Sequence, residues 1–162
     1  GLGDVYKRQL FKDYCNMDEY QIREIWSARN EDEVRCWMEN SDSISWEDHL
    51  KFLSFLSHTS RKLYFGVYSL GELIGSVNIE MDDSFRKIDR GIFIIPRFLN
   101  LSLGSRIEQA LVQIISGWGI EMITARILKN NIRSLNFHLK NGYILENSDG
   151  RFEYLVKRLF DE

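Results

Sequence analysis

The sequence predicts an α+β (mixed α/β) domain, in which one central, mostly antiparallel and twisted sheet of about seven strands is flanked by helices. Three observations lead to this fold class. The N-terminal part has apolar residues at helical spacing. The middle is rich in β-branched and aromatic runs separated by glycine turns. The C-terminal part alternates helical and strand patterns, which is typical of a β-α-β-α-β unit.

The N-terminal third is predicted to hold one strand and then three helices. The strand is residues 10–15, and the helices are residues 18–30, 31–40 and 43–58. The first turn of helix 31–40 is acidic, as the positive end of a helix dipole favours. Ser45 is the predicted N-cap of the third helix, whose apolar residues then recur at helical spacing.

The middle of the chain is predicted to contribute three consecutive strands. Residues 62–69 and 73–81 flank a glycine turn and form a hairpin candidate. Residues 86–96 are the third strand, which ends at Pro96, the only proline in the chain. The rest is predicted as helix, strand, helix, strand and strand, in residues 101–119, 121–128, 130–143, 142–147 and 152–160.

Length and composition indicate one globular domain, which we assign to residues 10–162. Residues 1–9 have no hydrophobic period, so we expect a non-native or disordered leader there. A net charge of −3 gives no general attraction to nucleic acid or to an anionic membrane. No apolar run approaches the ~20 residues that cross a bilayer, and no secretory signal is visible, so we expect a cytoplasmic protein.

The cysteines and histidines show no metal-binding pattern. Cys15 and Cys36 lack metal or redox spacing, and we expect reduced packing residues rather than a disulfide. The three histidines form no ligand pair, so no metal site is predicted. The aromatic share of 13% is high, and it is compatible with a homodimer face as well as with a generous core.

The stretch 130–143 predicts a short amphipathic helix whose polar face is not explained by docking alone. One face is apolar at helical spacing, which is enough to dock the helix. Another face carries Asn131, Ser134 and His138 at i, i+3 and i+7. Gly142 supplies the residue type that ends helices. The polar face therefore suggests a functional surface.

The junction 94–111 predicts a strand, a loop and the start of a helix. Free N–H groups and the positive end of the helix dipole favour an anion at such a point, and a pyrophosphate has suitable chemistry. The loop contains Ser102 and only one glycine, Gly104. On this pattern alone, a plain strand-to-helix turn is the favoured interpretation.

These stretches resemble the motifs of the GCN5-related N-acetyltransferase (GNAT) superfamily. Its members share the pattern N-x-x-[AS]-x-x-[LF]-Y-x-K-x-G-[FY], which is matched here by Asn131, Ser134, Phe137, His138, Lys140, Gly142 and Tyr143, with His138 in place of the tyrosine. The order of predicted elements is also similar. The resemblance implies a GNAT fold, acetyl-CoA as the acyl-donor co-substrate, and a small amine as the acceptor.

The resemblance also implies where acetyl-CoA binds. In this family the loop before the central helix reads [QR]-x-x-G-x-[GA] and holds the pyrophosphate with backbone N–H groups. The equivalent residues here are Leu99, Ser102 and Gly104, so only the last glycine is kept. The strand around residues 92–95 is expected to splay and to polarise the thioester carbonyl. The implied cofactor-binding residues are Phe93, Ile94, Ile95, Leu101, Ser102, Leu103, Gly104, Ser105, Asn131, Ser134, Phe137 and Lys140.

Residues 29–56 resemble one branch of the superfamily through the run R-N…V-R-x-W-M…I-S…H-x-x-F…L. This branch includes N-acetyltransferases of nucleotide-linked amino sugars, notably the pseudaminic-acid-pathway enzyme, whose substrate is a UDP-linked 4-amino-4,6-dideoxy-sugar. The substrate-side candidates are Arg29, Asn30, Trp37, Met38 and His49. Trp26, Trp37 and Trp46 are also candidates for stacking on a uracil or a sugar face. For these tryptophans and for His49, a packing role is the simpler interpretation.

Two residues are candidates for proton transfer. The resemblance places residue 138 against the sulfur, and His138 is hypothesised to replace the tyrosine acid, since a neutral imidazole still has one N–H. Relatives often place a glutamate on the strand before this helix, where the chain has Arg126 instead. Glu80 is therefore the first candidate base, and Asp89 is expected to pair with Arg86 or Arg90.

Two other functions remain open at this point. The ribosomal-protein acetyltransferases share part of the 29–56 run, so a protein N-terminus is an alternative acceptor. The departures at Leu99, Ser102 and His138 are compatible with a GNAT domain that binds acyl-CoA without catalysis.

Overall fold

The computed structural model describes residues 9–99 and 101–160. Its centre is a sheet of seven strands in the order β1-β2-β3-β4-β5-β7-β6. The strands are β1 Gln9–Asp13, β2 Lys62–Ser69, β3 Glu72–Met81, β4 Lys87–Ile94, β5 Met122–Leu128, β6 Ile144–Ser148 and β7 Phe152–Arg158. Neighbouring strands are antiparallel except β4 and β5, which are parallel. The predicted fold class is confirmed.

The helices are α1 Glu19–Arg29, α2 Asp32–Arg35, α3 Trp46–Leu56, α4 Leu103–Ser116 and α5 Ile132–Lys140. Local sequence explains where α1 and α3 begin. Asp18 forms a capping box with Gln21 at the start of α1. The Ser45 hydroxyl accepts a hydrogen bond from the Asp48 N–H at 3.1 Å, so the predicted cap of α3 is confirmed.

The helix predicted over residues 31–40 is wrong beyond its first turn, because α2 has only four residues. Two arginines hold the chain that follows it as a loop. Arg29 donates to the Asn40 carbonyl at 2.9 Å, and Arg35 donates to the Ser41 carbonyl at 3.0 Å. These carbonyls are therefore satisfied by side chains rather than by helical hydrogen bonds.

Helices pack on both faces of the sheet. One core cluster contains Ile107 and Ile115 of α4 together with Ile74 of β3. A second cluster contains Ile25 of α1 together with Leu73 of β3. Neighbouring residues of a strand point to opposite faces, so the two clusters lie on opposite sides of the sheet.

Other predictions have mixed outcomes. Cys15 and Cys36 are free thiols, but both are exposed, so their predicted packing role is wrong. Pro96 starts a short 3-10 turn, because β4 already ends at Ile94. Of the predicted leader, residues 1–8 lie outside the described residues, whereas Gln9 begins β1. Within the described ranges, no helix combines the length and apolarity that crossing a membrane requires.

Candidate active site

The parallel strands β4 and β5 separate in the middle of the sheet. They are paired only from Lys87 opposite Met122 to Asp89 opposite Thr124. Beyond this point β4 follows β3 as far as Ile94, and β5 follows β7 as far as Leu128. The two strands therefore leave a wedge of unpaired backbone between them, as the expected splay of β4 requires.

A cleft of about 130 Å³ lies at this separation. Strands β3, β4, β5 and β7 and the loop after α2 contribute to its lining. The lining residues are Trp37, Glu39, Asn78, Asp89, Arg90, Gly91, Arg126, Leu128 and Phe152. A larger hollow of about 540 Å³ shares Asp89 and Arg126 with it and extends over β5, β7 and β6. The two hollows therefore adjoin at Asp89 and Arg126, beside the split.

The start of α4 leaves backbone donors free of side-chain caps. Ser102 is the N-cap residue, but it has a left-handed φ of 59° and its side chain makes no capping hydrogen bond. The first N–H groups of this 14-residue helix have no carbonyl partner one turn earlier, and they lie at the positive end of the dipole. The predicted anion-binding turn therefore has suitable geometry.

The residues around this turn bring α4 and α5 together. A Cβ added at Gly104 would lie 3.0 Å from Phe137 Cε2 of α5, so a glycine permits the close approach. Asn141 Nδ2 donates to the Ser105 hydroxyl at 3.1 Å and ties the end of α5 to the start of α4. Ile95 is buried, whereas Leu101 is exposed beside the turn.

The polar face of α5 is built by local hydrogen bonds. Asn131 is the N-cap, and its side chain accepts from the Ser134 N–H at 3.2 Å. Ser134 offers its carbonyl to His138 Nδ1 at 2.6 Å. Lys140 is exposed in the last turn. Asn131 therefore shapes the helix start, and the ring orientation of His138 is set within its own helix.

His138 is a buried, neutral histidine. Its side chain is 3% exposed. Since a carbonyl oxygen only accepts hydrogen bonds, Nδ1 carries the hydrogen and Nε2 has the lone pair. Burial in the first place, and then the charge of Arg90, lowers the pKa of His138 to about 4. The N–H that the general-acid hypothesis directed at the thiolate is therefore engaged inside α5.

Sequence reasoning missed a cluster of charged groups beneath the cleft, which we call the Arg90 cluster (Arg90, Glu108, Tyr143 and Lys157). Arg90 Nη2 donates to the Tyr143 hydroxyl at 2.7 Å and lies 3.2 Å from Glu108 Oε2. The Tyr143 hydroxyl donates to Glu108 Oε1 at 2.6 Å, and Lys157 Nζ lies 3.7 Å from the same oxygen. The side chains of Arg90 and Glu108 are each 1% exposed.

The sequence does indicate this cluster, because two charged residues occupy positions at which the pattern predicts burial. Arg90 alternates with Ile88 and Ile92 on one face of its strand, and Glu108 lies in the apolar stripe of α4 beside Ile107 and Leu111. Charged residues at buried positions require partners. The expected pairing of Asp89 with Arg86 or Arg90 is wrong, because Arg90 pairs with Glu108 across the sheet–helix interface.

The two carboxylates on neighbouring positions of β3 and β4, Glu80 and Asp89, are exposed and half-buried, respectively. Glu80 is exposed, lies opposite Asp89 in the β3–β4 register, and is 3.9 Å from Lys62 Nζ. Asp89 accepts from the Thr124 hydroxyl at 2.9 Å, lines the cleft, and lies 4.0 Å from Arg126. Asp89 is therefore closer to the split than Glu80 is.

Of the five substrate-side candidates, Trp37 lines the cleft and the other four do not. Trp37 is 47% exposed and lines the cleft, and the half-buried Met38 follows it in the chain. Arg29 holds the Asn40 carbonyl, and its Nη1 atom is buried without a hydrogen-bond partner among the described residues. Asn30 uses both ends of its amide on the Ile44 backbone, at 2.8 Å each.

The remaining aromatic candidates are packing residues. His49 is 5% exposed, and its ring centroid lies 5.8 Å from that of Trp46. Trp26 and Trp46 pack edge to face with centroids 5.4 Å apart, and the Trp26 indole donates to the Ile44 carbonyl. Among the tryptophans considered, Trp37 is therefore the one at the cleft.

Two parallel strands that separate beside a helix start with free N–H groups define the fold of an acyl-CoA-dependent N-acetyltransferase. The model of the family described as "Acetyltransferase (GNAT) family" matches residues 18–143. The chain belongs to this family. The predictions of GNAT membership, of an N-acetyltransferase and of acetyl-CoA as the donor are confirmed.

Similar proteins are found over nearly the whole chain. A relative from Campylobacter jejuni called acetyltransferase PseH is 23% identical over 146 residues, which are 89% of this chain and 90% of that protein. The crystal structure of C. jejuni N-acetyltransferase PseH in complex with acetyl coenzyme A has a TM-score of 0.76 at 18% identity, covering 93% and 99% of the two chains.

A second structural neighbour is an N-acetyltransferase of a different amine. The spermidine N-acetyltransferase of Vibrio cholerae, in complex with CoA and spermine, has a TM-score of 0.81 at 13% identity, covering 93% of this chain and 95% of that chain. At these identities the structural similarity describes the fold. The acceptor of this chain must therefore be argued from its own residues.

Proposed function

We propose that this N-acetyltransferase acetylates the amine of a nucleotide-linked amino sugar of the UDP-4-amino-4,6-dideoxy type. The observation that carries the proposal is the similarity to acetyltransferase PseH, which extends over 89% of the chain and includes the acceptor-side segment 29–56. The two adjoining hollows at the split support it, because their polar lining residues suit a large hydroxylated acceptor.

Acetyl-CoA would bind along the split and the start of α4. Its pyrophosphate suits the N–H groups at Ser102, Leu103, Gly104 and Ser105, next to Leu101. The backbone of Phe93, Ile94 and Ile95 borders the split and would meet the pantetheine and the thioester carbonyl. On α5, the residues proposed to contact the donor are Asn131, Ser134, Phe137 and Lys140.

Transfer would be direct, in a ternary complex. His138 is proposed as the group that meets the sulfur and gives the departing thiolate its proton. Glu80, with Asp89 beside it, is proposed as the base that takes the first proton from an acceptor arriving as an ammonium ion. Both carboxylates stand on the face of the sheet that carries the cleft, and a water molecule is proposed to connect them to the amine.

The acceptor would enter past Trp37, which offers an exposed ring for stacking on a base or a sugar face. Arg29 has an unused N–H donor, and Arg126 is the guanidinium at the rim of the cleft. Guanidinium groups suit a diphosphate. Asn30, Met38 and His49 would support this side mainly by holding α3 and the loop on which Trp37 lies.

The test is release of free CoA thiol from acetyl-CoA in parallel wells. The wells contain a UDP-4-amino-4,6-dideoxy-sugar, the same sugar without the nucleotide, a pool of peptides with free N-termini, and spermidine. We expect turnover with the nucleotide sugar and far less with the free sugar. Turnover confined to the peptides or to spermidine would overturn the acceptor assignment.

A matched control uses His58, an exposed histidine at the end of α3. H58Q is expected to match the wild type in every well. Binding of acetyl-CoA is measured separately, so that loss of the donor site is not mistaken for a wrong acceptor.

A further inference from the structure

Three buried polar atoms in and beside the Arg90 cluster have no hydrogen-bond partner among the described residues. They are His138 Nε2, Arg90 Nε and Glu108 Oε2, of which the last lies 3.2 Å from Arg90 Nη2 as an ion pair. His138 and Arg90 contact the same ring, since the His138 centroid lies 4.9 Å from that of Tyr143 and Arg90 Cζ lies 5.1 Å from it. His138 Nε2 and Arg90 Nε are therefore an open acceptor and an open donor on side chains that contact the same ring, and Arg90 also lines the cleft. Leaving such groups unpaired costs free energy, which suggests that substrate completes them.

The open atom of His138 is an acceptor. Its Nδ1–H is committed to the Ser134 carbonyl at 2.6 Å, so the neutral ring has only a lone pair at Nε2. A resident acid would need a proton on this nitrogen before the reaction begins. The geometry of α5 therefore favours a proton acceptor over an acid in the resting protein.

The Arg90 cluster fixes a positive charge beside this ring. Arg90 on β4 is held by Glu108 of α4 and by Tyr143, which follows α5, and Lys157 of β7 lies over the Tyr143 ring at 5.5 Å. These are the charged and titratable groups that face His138 from the neighbouring elements. Arg90 opposes protonation of His138, whereas Glu108 favours it, and the effect of Arg90 is the larger one.

We propose that Arg90 is a positioning residue which, together with the Ser134 carbonyl, keeps His138 neutral. The open Nε2 of His138 then takes the proton that the amine loses and passes it to the sulfur of CoA. This inference rests on the proposed function. His138 therefore transfers a proton that comes from the substrate, and it is not a general acid that is already protonated in the resting protein.

The step balances without any further reactant. The amine nitrogen forms a bond to the thioester carbon, and Nε2 takes one proton from that nitrogen. The C–S bond then breaks, its electron pair leaves on sulfur, and Nε2 returns the proton to the sulfur. The products are an amide and the CoA thiol, and the imidazole ends neutral as it began.

The first experiment is NMR of the full chain with nitrogen-15-labelled histidine, and it needs no acceptor. At about pH 7 we expect His138 to show a protonated Nδ1 and an unprotonated Nε2, with an apparent pKa well below the ordinary histidine value of 6.5. A protonated Nε2 at this pH, or a His138 pKa near the ordinary value of 6.5, would overturn the proposal. A wrong acceptor assignment leaves this measurement unchanged, so the two failures are distinguishable.

The second experiment uses charge variants of the cluster. R90Q should raise the His138 pKa by ~1 unit, whereas E108Q should lower it. R90K keeps the charge and should keep the pKa low, which a purely structural role for Arg90 does not predict. Since R90Q alone leaves a buried carboxylate without its main partner, R90Q/E108Q is measured as well, and it should raise the pKa by less than R90Q does.

The third experiment measures turnover with the acceptor that the thiol-release assay identifies. H138Q keeps a donor and an acceptor but cannot carry a proton, and its turnover should fall ~10²–10⁴-fold with acetyl-CoA affinity unchanged. Unchanged turnover of H138Q would overturn this proton transfer. R90Q should introduce a fall in turnover at low pH, where His138 becomes protonated, and a pH profile identical to that of the wild type would contradict the positioning role.

Discussion

His138 Nδ1 lies 2.6 Å from the carbonyl oxygen of Ser134, one helical turn earlier in α5. This contact decides which nitrogen of the ring is protonated, because a carbonyl can only accept. The nitrogen that remains open is an acceptor at a position where the family motif has a tyrosine. One backbone contact therefore changes the chemistry that this position offers to a thioester.

The first prediction concerns acid stability. The folded-state pKa of His138 is about 4 and its ordinary value is 6.5, so the unfolded chain binds more protons between these pH values. The free energy of unfolding should fall as the pH is lowered from about 6.5 to about 4, by roughly 3 kcal/mol at most from this group. Urea unfolding at several pH values measures it.

H138F has no titratable ring, and it controls for His49 and for the carboxylates. The difference between wild type and H138F should depend on pH in this window and level off above it. A constant difference from about pH 7 to about pH 4 would contradict the depressed pKa.

The second prediction concerns the contact between α4 and α5. A Cβ at Gly104 would lie 3.0 Å from Phe137 Cε2, and a valine would place two further methyl groups beside the ring. G104V should destabilise the fold by ~1–3 kcal/mol and should weaken acetyl-CoA binding, because overpacking displaces the first turn of α4. G150A is the control, since a Cβ there meets nothing within 4 Å. Thermal unfolding and calorimetric acetyl-CoA binding measure the two effects.

The third prediction concerns Arg126, which lines the cleft and pairs with Glu39 at 3.4 Å. Both side chains are about half exposed, so breaking the pair should change stability by less than ~1 kcal/mol. R126Q should nevertheless raise the KM for an anionic acceptor about tenfold or more, because it removes a charge-assisted hydrogen bond. The KM for acetyl-CoA should not change. E39Q breaks the same pair and serves as the matched control; an equal rise in KM there would assign the effect to loop anchoring.

The fourth prediction concerns Tyr143, whose hydroxyl joins Arg90 to Glu108 at 2.7 Å and 2.6 Å. Y143F removes two buried hydrogen bonds to charged groups and should destabilise the protein by ~2–4 kcal/mol. Y20F, at a tyrosine that is 74% exposed, should have little effect. Chemical denaturation of the two variants gives the comparison, and equal stabilities would show that water replaces the hydroxyl.

The fifth prediction concerns the first proton from the acceptor. Asp89 lies at the end of the β4–β5 pairing and Glu80 is opposite it on β3. If these carboxylates accept this proton, E80Q and D89N should each lower kcat/KM most strongly below the pKa of the amine, where the acceptor is an ammonium ion. Their effect should fade at high pH. E47Q on the exposed first turn of α3 is the control, and pH-independent losses would indicate a binding role instead.

Much of the secondary structure could be predicted from the sequence, because periodicity and caps are local. The strand 62–69 is found with the predicted bounds, and Ser45 caps α3 as expected. The helix over 31–40 could not be predicted correctly, since arginine side chains from outside and inside it occupy the carbonyls of its C-terminal part. The exposure of Cys15 and Cys36 could not be predicted for a related reason, because burial depends on which elements cover a residue.

The sequence by itself determined the family, the order of the elements and the acetyl-donor motifs, because these depend on residue type and spacing along the chain. The tertiary structure decided the protonation of His138 and the partners of Arg90. Arg90 meets Glu108 and Tyr143 across 18 and 53 residues of chain, in the low-dielectric space between a strand and two helices. Charge states in such a space are set by burial and by neighbours from other elements, and the linear sequence does not state either of them.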